Sequence, residues 1–169
     1  MRVVLKPILP DMRIFLNTNI FEREMKDALD HTINIVNDDF KATVKTWTKP
    51  ASFDKKGARK VGGKLEAQTS TSNQIYFFLT RGTKKNYPIP RSGTANLSFR
   101  SGYRAKTRVR VVGSRGGGSF GPRVFAKKVI HPGIDARDFD KEIAKRRQRN
   151  MTNLVRLGIM RSFRYGGIK

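Results

Sequence analysis

The sequence predicts an α+β fold: a long N-terminal amphipathic helix, a mostly antiparallel sheet with a long hairpin or loop excursion, and a C-terminal helix. Three observations predict it. Apolar residues recur at helical spacing from Phe21 to Phe40, the apolar period shortens to two in several runs between Val44 and Ile130, and helical spacing returns from Phe139. With 169 residues and a hydrophobic fraction of 37%, the chain is the size of one ordinary domain and can bury a core. We expect an extended arm over residues 1–17 and a single α+β domain over residues 18–165.

The arm is expected to be extended because Pro7 and Pro10 forbid a continuous helix, while Val3, Val4, Leu5, Ile8 and Leu9 need a surface, in the same chain or a neighbouring subunit. Asn19 followed by Glu22 fits a capping box, and Phe21, Met25, Leu29 (with Ala28), Ile33 and Val36 or Phe40 mark one face of a helix from about Asn19 to Ala42. Val44, Thr46 and Thr48 then alternate with Lys45, Trp47 and Lys49 as a strand, up to Pro50. Residues 50–64, with Lys55, Lys56, Arg59, Lys60 and three glycines, read as a mobile basic loop.

Leu65, Ala67, Thr69 and Thr71 alternate with polar neighbours as a half-exposed strand, and Ser72-Asn73 is a turn. Ile75-Tyr76-Phe77-Phe78-Leu79, apolar throughout, reads as a central strand covered on both faces. Pro88 and Pro90 keep the next segment extended. Asn96-Leu97-Ser98-Phe99 and Val109-Arg110-Val111-Val112 are short strands around a hairpin excursion of about residues 99–123, in which residues 114–121 form a flexible loop. Val124 to Ile130 is a further strand. Asp135 or Asp138 can cap the last helix, which carries Phe139, Ile143, Met151, Leu154, Val155, Gly158, Ile159 and Phe163. Lys145-Arg146-Arg147 and Arg149 interrupt its stripe, so it is expected to be kinked or only partly buried.

Charge separates the function classes. Lys and Arg number 36 against 13 Asp and Glu, a net charge of +23. No acid lies between Ala67 and Ile134, where 13 basic residues run from Arg81 to Lys128, whereas Glu22 to Asp39 holds six acids and two bases. Such a polarised chain suits nucleic acid, or its own neighbours head to tail with acidic surface against basic. There is no cysteine, which excludes disulfides and thiolate metal sites. Lys6, Pro7, Pro10 and Asp11 break the apolar N-terminus before it reaches a signal-peptide core, and no run approaches the ~20 apolar residues of a membrane span. No membrane partner is expected, and the chain reads as soluble.

Catalytic readings lose on context. Gly116, Gly118 and Gly121 match the spacing of a dinucleotide loop, but Pro122 and a strand follow instead of a helix. Gly62-Gly63-Lys64 ends like a phosphate loop, yet Leu65 stands where Ser or Thr should hold magnesium. His31 and His131 are the only imidazoles, and without cysteine a zinc site would need two carboxylates beside them. A nuclease would need clustered carboxylates where the sheet region has none. No enzyme activity, metal or cofactor is expected. Arg100, Arg104, Lys106, Arg108 and Arg110, with Tyr103 among them, and Lys127 and Lys128 are candidates for contact with DNA phosphates or with a neighbouring subunit. No pattern for base-specific reading accompanies them.

The order of pieces adds a resemblance. A long amphipathic helix is followed by Tyr76-Phe77-Phe78-Leu79-Thr80-Arg81-Gly82-Thr83, Ile89-Pro90, Asn96-Leu97-Ser98-Phe99, Phe125-Ala126-Lys127-Lys128-Val129-Ile130-His131-Pro132-Gly133 and Phe139. This ordered set, over roughly residues 19–144, resembles the tail-component family of tailed bacteriophages: the tail-completion or neck proteins of the head-to-tail junction, also called minor tail proteins. Two positions depart from the family pattern, Arg81 where an acid usually precedes Gly-Thr and Asp138 where a proline usually precedes the phenylalanine. The resemblance implies a noncatalytic virion subunit, present in the host cytoplasm during assembly, that forms a ring, commonly sixfold and alternatively twelvefold. It implies portal-adaptor or head-closure proteins on one side, a tail tube or tail terminator protein on the other, and nonspecific DNA contact in the lumen. Gly82, Thr83, His131, Pro132, Gly133 and Phe139 are expected to form a structural junction. The alternative reading from the residues alone is a basic nucleic-acid-binding protein without sequence specificity.

Overall fold

In the computed structural model, which describes residues 2–5, 18–91, 93 and 96–165, the helical spacing after Asn19 becomes α1 (Thr18–Val44). Met25, Ala28, Leu29, Ile33, Val36, Phe40 and Val44 are its buried apolar positions. The strand expected over Val44 to Thr48 does not form. The helical period wins there because Val44 and Trp47 both turn to the core, and the Trp47 N–H donates to the Val44 carbonyl (2.9 Å) in the closing turn.

The expected basic loop is mostly a strand. β2 (Asp54–Val61) and β3 (Lys64–Ser70) form a hairpin through Gly62 and Gly63, both in the left-handed region (φ +57° and +76°), where a two-residue turn needs glycine. Seven of the eight β2 residues are exposed, so the strand is defined by its ladder and not by burial. A bulge between Lys56 and Arg59 is held from the helix, as the Ala58 N–H donates to Asp30 Oδ1 (2.6 Å). β1 (Arg2–Leu5) pairs antiparallel with the other edge of β3, giving the order β1-β3-β2. This part of the expected arm packs on its own chain, and residues 6–17 lie outside the described residues.

The expected central strand at Ile75 to Leu79 is instead α2 (Gln74–Arg81). Asn73 caps it, its Oδ1 accepting from the Tyr76 N–H (2.9 Å). Tyr76 and Thr80 are buried one helical turn apart, while Ile75, Phe77 and Phe78 remain exposed. The excursion is a series of short antiparallel pairs: β4 (Tyr87–Pro88) with β9 (Ile130–His131), β5 (Leu97–Arg100) with β8 (Arg123–Ala126), and β6 (Tyr103–Arg104) with β7 (Gly118–Ser119). The strand expected over Val124 to Ile130 is thus broken at Lys127-Lys128, and β7 lies within the expected loop of residues 114–121. Val109 to Val112 is not a strand, because Arg110 takes a left-handed conformation (φ +57°).

α3 (Phe139–Tyr165) runs antiparallel to α1. Arg147 meets Asp39 near one end of the pair, and Gly158 meets Met25 and Glu24 toward the other. A Cβ at Gly158 would lie 2.5 Å from Met25 Cε and 3.2 Å from the Glu24 carbonyl, so the missing side chain sets the helix spacing. The basic cluster leaves α3 continuous but only partly buried: Arg147 turns inward, Lys145, Arg146 and Arg149 stay exposed, and its buried residues are Phe139, Ile143, Gly158 and Ser162. The fold is therefore α+β, with two long helices and several small antiparallel sheets. α1 packs on α3 along one side and on β2 and β3 along another. The core joins Leu29, Ile33, Val36, Phe40 and Val44 to Ala51, Ala67, Tyr76, Phe139 and Ile143, and Tyr76 is the aromatic hub, within 5.2–6.2 Å of the Phe40, Trp47, Phe53 and Phe139 rings.

Candidate assembly junction and basic ribbon

Gly82 and Thr83 leave α2 directly into the segment that follows β9. The Thr83 N–H donates to the Ile134 carbonyl (2.9 Å), and the Ile134 N–H donates to Thr83 Oγ1 (3.0 Å). Gly82 stands at φ +78°, and a Cβ there would lie 2.7 Å from the Ile134 carbonyl. Gly133 stands at φ +84°, with its own missing Cβ 2.8 Å from the Lys84 carbonyl. Both glycines are required by positive φ and close backbone approach.

His131 serves this turn. Its Nδ1 accepts from the Gly133 N–H (2.9 Å), and its ring stacks on Tyr87, the centroids 5.0 Å apart. An Nδ1 that accepts leaves the proton of a neutral imidazole on Nε2. Pro132 is exposed at the bend. The chain then crosses back to α2, as the Arg137 N–H donates to the Leu79 carbonyl (2.9 Å) and the Asp138 N–H to the Thr80 carbonyl (3.1 Å). Phe139 follows, fully buried against Tyr76. The six predicted junction residues thus lie in one stretch of connected structure.

Of the two expected caps, Asp135 pairs with Lys85 (3.0 Å) instead. Asp138 stands just before α3 at φ +49°, and its carbonyl accepts from the Glu142 N–H (3.0 Å). Its carboxylate binds Lys141 (2.9 Å), and that hydrogen bond holds the carboxyl below its ordinary value. Between α2 and α3, Tyr76 Oη, Arg137 Nε and Asp140 Oδ1 are buried without a hydrogen-bond partner among the described residues, and burial pushes the Tyr76 hydroxyl well above the usual phenol range.

The predicted basic finger divides in two. Its tip folds back: Lys106 Nζ donates to the Thr46 carbonyl (2.8 Å), Ser114 Oγ to the Ala42 carbonyl (2.9 Å), and Thr46 Oγ1 to the Arg115 carbonyl (2.8 Å). Val112 packs on the core, and the Arg110 N–H reaches the Arg137 carbonyl (3.4 Å). Lys106 and the Arg110 backbone are thereby tied to the body. Arg100, Arg104, Arg108, Lys127 and Lys128 are exposed. Sequence reasoning missed Arg123, which stands directly opposite Arg100, and Phe125, opposite Ser98. Their alternation on β8 was readable, but their partners were not.

The acidic segment is not an acidic surface. Glu22 pairs with Lys60, whose hydrogen bond lowers its pKa, and Glu24 lies 3.6 Å from Arg23. Asp30 accepts from β2, and Asp39 takes both arms of Arg147 (2.6 and 2.7 Å), which raises the guanidinium pKa. Of the six acids from Glu22 to Asp39, only Asp27 and Asp38 are left on the exposed stripe of α1, beside Arg23, His31, Lys41 and Lys45. The expected acid-against-base contact between neighbours loses most of its acid, because folding directs Glu22 and Asp30 to β2 and Asp39 to α3 and buries Glu24 beside Arg23. Among the described residues no group of three or more His, Asp or Glu could hold a metal ion, and no helix is long and apolar enough to cross a membrane. In comparisons with known proteins, no family model matches the chain, and neither a curated protein nor a solved structure matches it.

Proposed function

We propose that this protein is a noncatalytic subunit of an oligomeric ring at the head-to-tail junction of a tailed bacteriophage, joining connector proteins to the tail around the DNA path. The observation that carries the oligomeric part is a pair of unlike apolar surfaces. Ile75, Phe77 and Phe78 are exposed on α2, beside the first turn of α3, where Arg81 lies 3.7 Å from Asp140. Leu157, Met160, Phe163 and Tyr165 are exposed on the last turns of α3. At 1.5 Å per residue the two sets lie roughly 30 Å apart along that helix. Two different apolar surfaces at separate places suit a heterologous contact, which closes into a ring when the rotation between subunits permits.

The placement in a phage neck rests on the ordered motifs, of which the stretch of residues 76–83 is joined to the segment after His-Pro-Gly by the Thr83–Ile134 bridge and to Phe139 through Tyr76. Light scattering on the purified chain and mass spectrometry of purified particles test the reading. The expected results are a discrete oligomer and the presence of the chain in particles. A monomer at high concentration that is also absent from particles would remove it. The second reading, a monomeric nucleic-acid-binding protein, is favoured by the +23 charge, against which α1 leaves only Asp27 and Asp38 exposed. It predicts tight binding with a steep salt slope in the absence of any ring.

A further inference from the structure

The ribbon of β5 and β8 has one face that is exposed at every position. Ser98 stands opposite Phe125 and Arg100 opposite Arg123, and directly opposed residues of an antiparallel pair point to the same side. All four are exposed, whereas on the reverse side Leu97, Val124 and Ala126 are half-buried and Phe99 is 43% exposed. Like charges directly opposite repel. No acid between Ala67 and Ile134 offsets them, and neither arginine makes an ion pair among the described residues. Phe125 is 64% exposed, and beyond the next turn Tyr103 and Phe120 are 69% and 68% exposed.

Unopposed guanidinium groups beside uncovered rings select among polyanions. The acidic side chains of a protein surface supply anions without an aromatic face of their own, and duplex DNA supplies phosphates while its bases stack on one another. Unpaired nucleic acid supplies both phosphates and open base faces. We propose that this face binds single-stranded nucleic acid without sequence preference, Arg100 and Arg123 contacting phosphates and Phe125 stacking on a base. The site does not depend on the ring, since every residue in it comes from one chain.

Fluorescence anisotropy tests this with a labelled oligothymidylate of about 20 nucleotides and a duplex of the same length, with sedimentation reporting oligomeric state in the same samples. The single strand is expected to bind more tightly than the duplex at about 0.15 M salt. Phe125→Leu, apolar but unable to stack, is expected to weaken single-strand binding about tenfold with little effect on the duplex, and Phe125→Trp to retain it. Replacing both Arg100 and Arg123 by Ala is expected to reduce the logarithmic salt slope by about 1.4. Equal affinity for strand and duplex together with an unaltered Phe125→Leu variant would reduce the face to an ordinary cationic surface and overturn the proposal. An unchanged slope in the double variant would do the same. If rings form while either of those holds, this inference falls and the ring reading stands; single-strand binding by a monomer absent from particles would leave the opposite pair.

Discussion

At Gly133 any side chain would meet two obstacles at once, a backbone at φ +84° and the Lys84 carbonyl 2.8 Å from where its Cβ must go. Left-handed strain costs about 1–2 kcal/mol and forced contact with backbone a similar amount, so Gly133→Val is expected to lose about 3 kcal/mol in urea unfolding. His131→Gln gives up one neutral hydrogen bond and a ring stack at a half-buried turn, and is expected to lose about 1 kcal/mol. Equal losses would mean that the imidazole contributes more than geometry. Asp138 isolates a charge effect, because Asn tolerates its left-handed backbone and removes only the carboxylate. Lys141 holds Asp138 below its ordinary 3.8, and Lys60 holds Glu22 below its ordinary 4.5. A depressed carboxylate binds fewer protons folded than unfolded in acid, so its stabilisation is full above those ordinary values and fades as pH falls through the depressed ones. Asp138→Asn is expected to flatten part of that acid decline, its urea midpoints converging on the parent's at the lowest pH, and an equally steep decline would overturn this. The junction residues were legible because a glycine next to a proline or a helix end announces a turn. Arg123 and Phe125 were not, since alternation along a strand gives a residue's face but not the strand that lies opposite.

The elements that the sequence revealed are those whose own period is long enough to count. α1 and α3 each have 27 residues, so their apolar spacing repeats several times and survives the charges between. α2 has eight residues, and its exposed Ile75, Phe77 and Phe78 erase the polar face that would have marked it as a helix. β2 buries almost nothing and is held by pairing and by Asp30, which periodicity cannot report. The packing of α1 on α3 depends on a pair that the sequence hid inside a run of three cations. Asp39 is 7% exposed and takes two hydrogen bonds from Arg147, so Arg147→Ala leaves a carboxylate nearly out of water. Breaking a buried pair costs about 3–5 kcal/mol, and the partial exposure of Arg147 lowers the expectation to about 2 kcal/mol. Arg147→Lys is expected to recover less than half of it, because an ammonium cannot match both oxygens. Thermal and urea unfolding of the two variants decide, and a Lys variant as stable as the parent would show that charge alone matters here.

On the scale of the whole molecule, attraction and repulsion between copies have different origins. Folding pairs or buries most acids of α1 within the chain and leaves a net charge of +23 on a molecule with apolar residues exposed at α2 and at the end of α3. Two such molecules repel over distances set by screening, about 10 Å at 0.1 M salt and 3 Å at 1 M. Apolar contact acts only at close range and does not weaken as salt rises. Association driven by the apolar surfaces should therefore strengthen with salt, whereas association of acidic against basic surface should weaken. Sedimentation velocity at low and high sodium chloride separates the two. We expect larger species at high salt, and we expect replacement of Ile75 and Phe78 by Ser to hold the chain monomeric under the same conditions. Both residues are already exposed, so their replacement removes little from the core and should leave the unfolding midpoint within about 0.5 kcal/mol of the parent. Dissociation with rising salt would return the interface to charge, and with it the few acids that remain outside, Asp27 and Asp38 on α1 first among them.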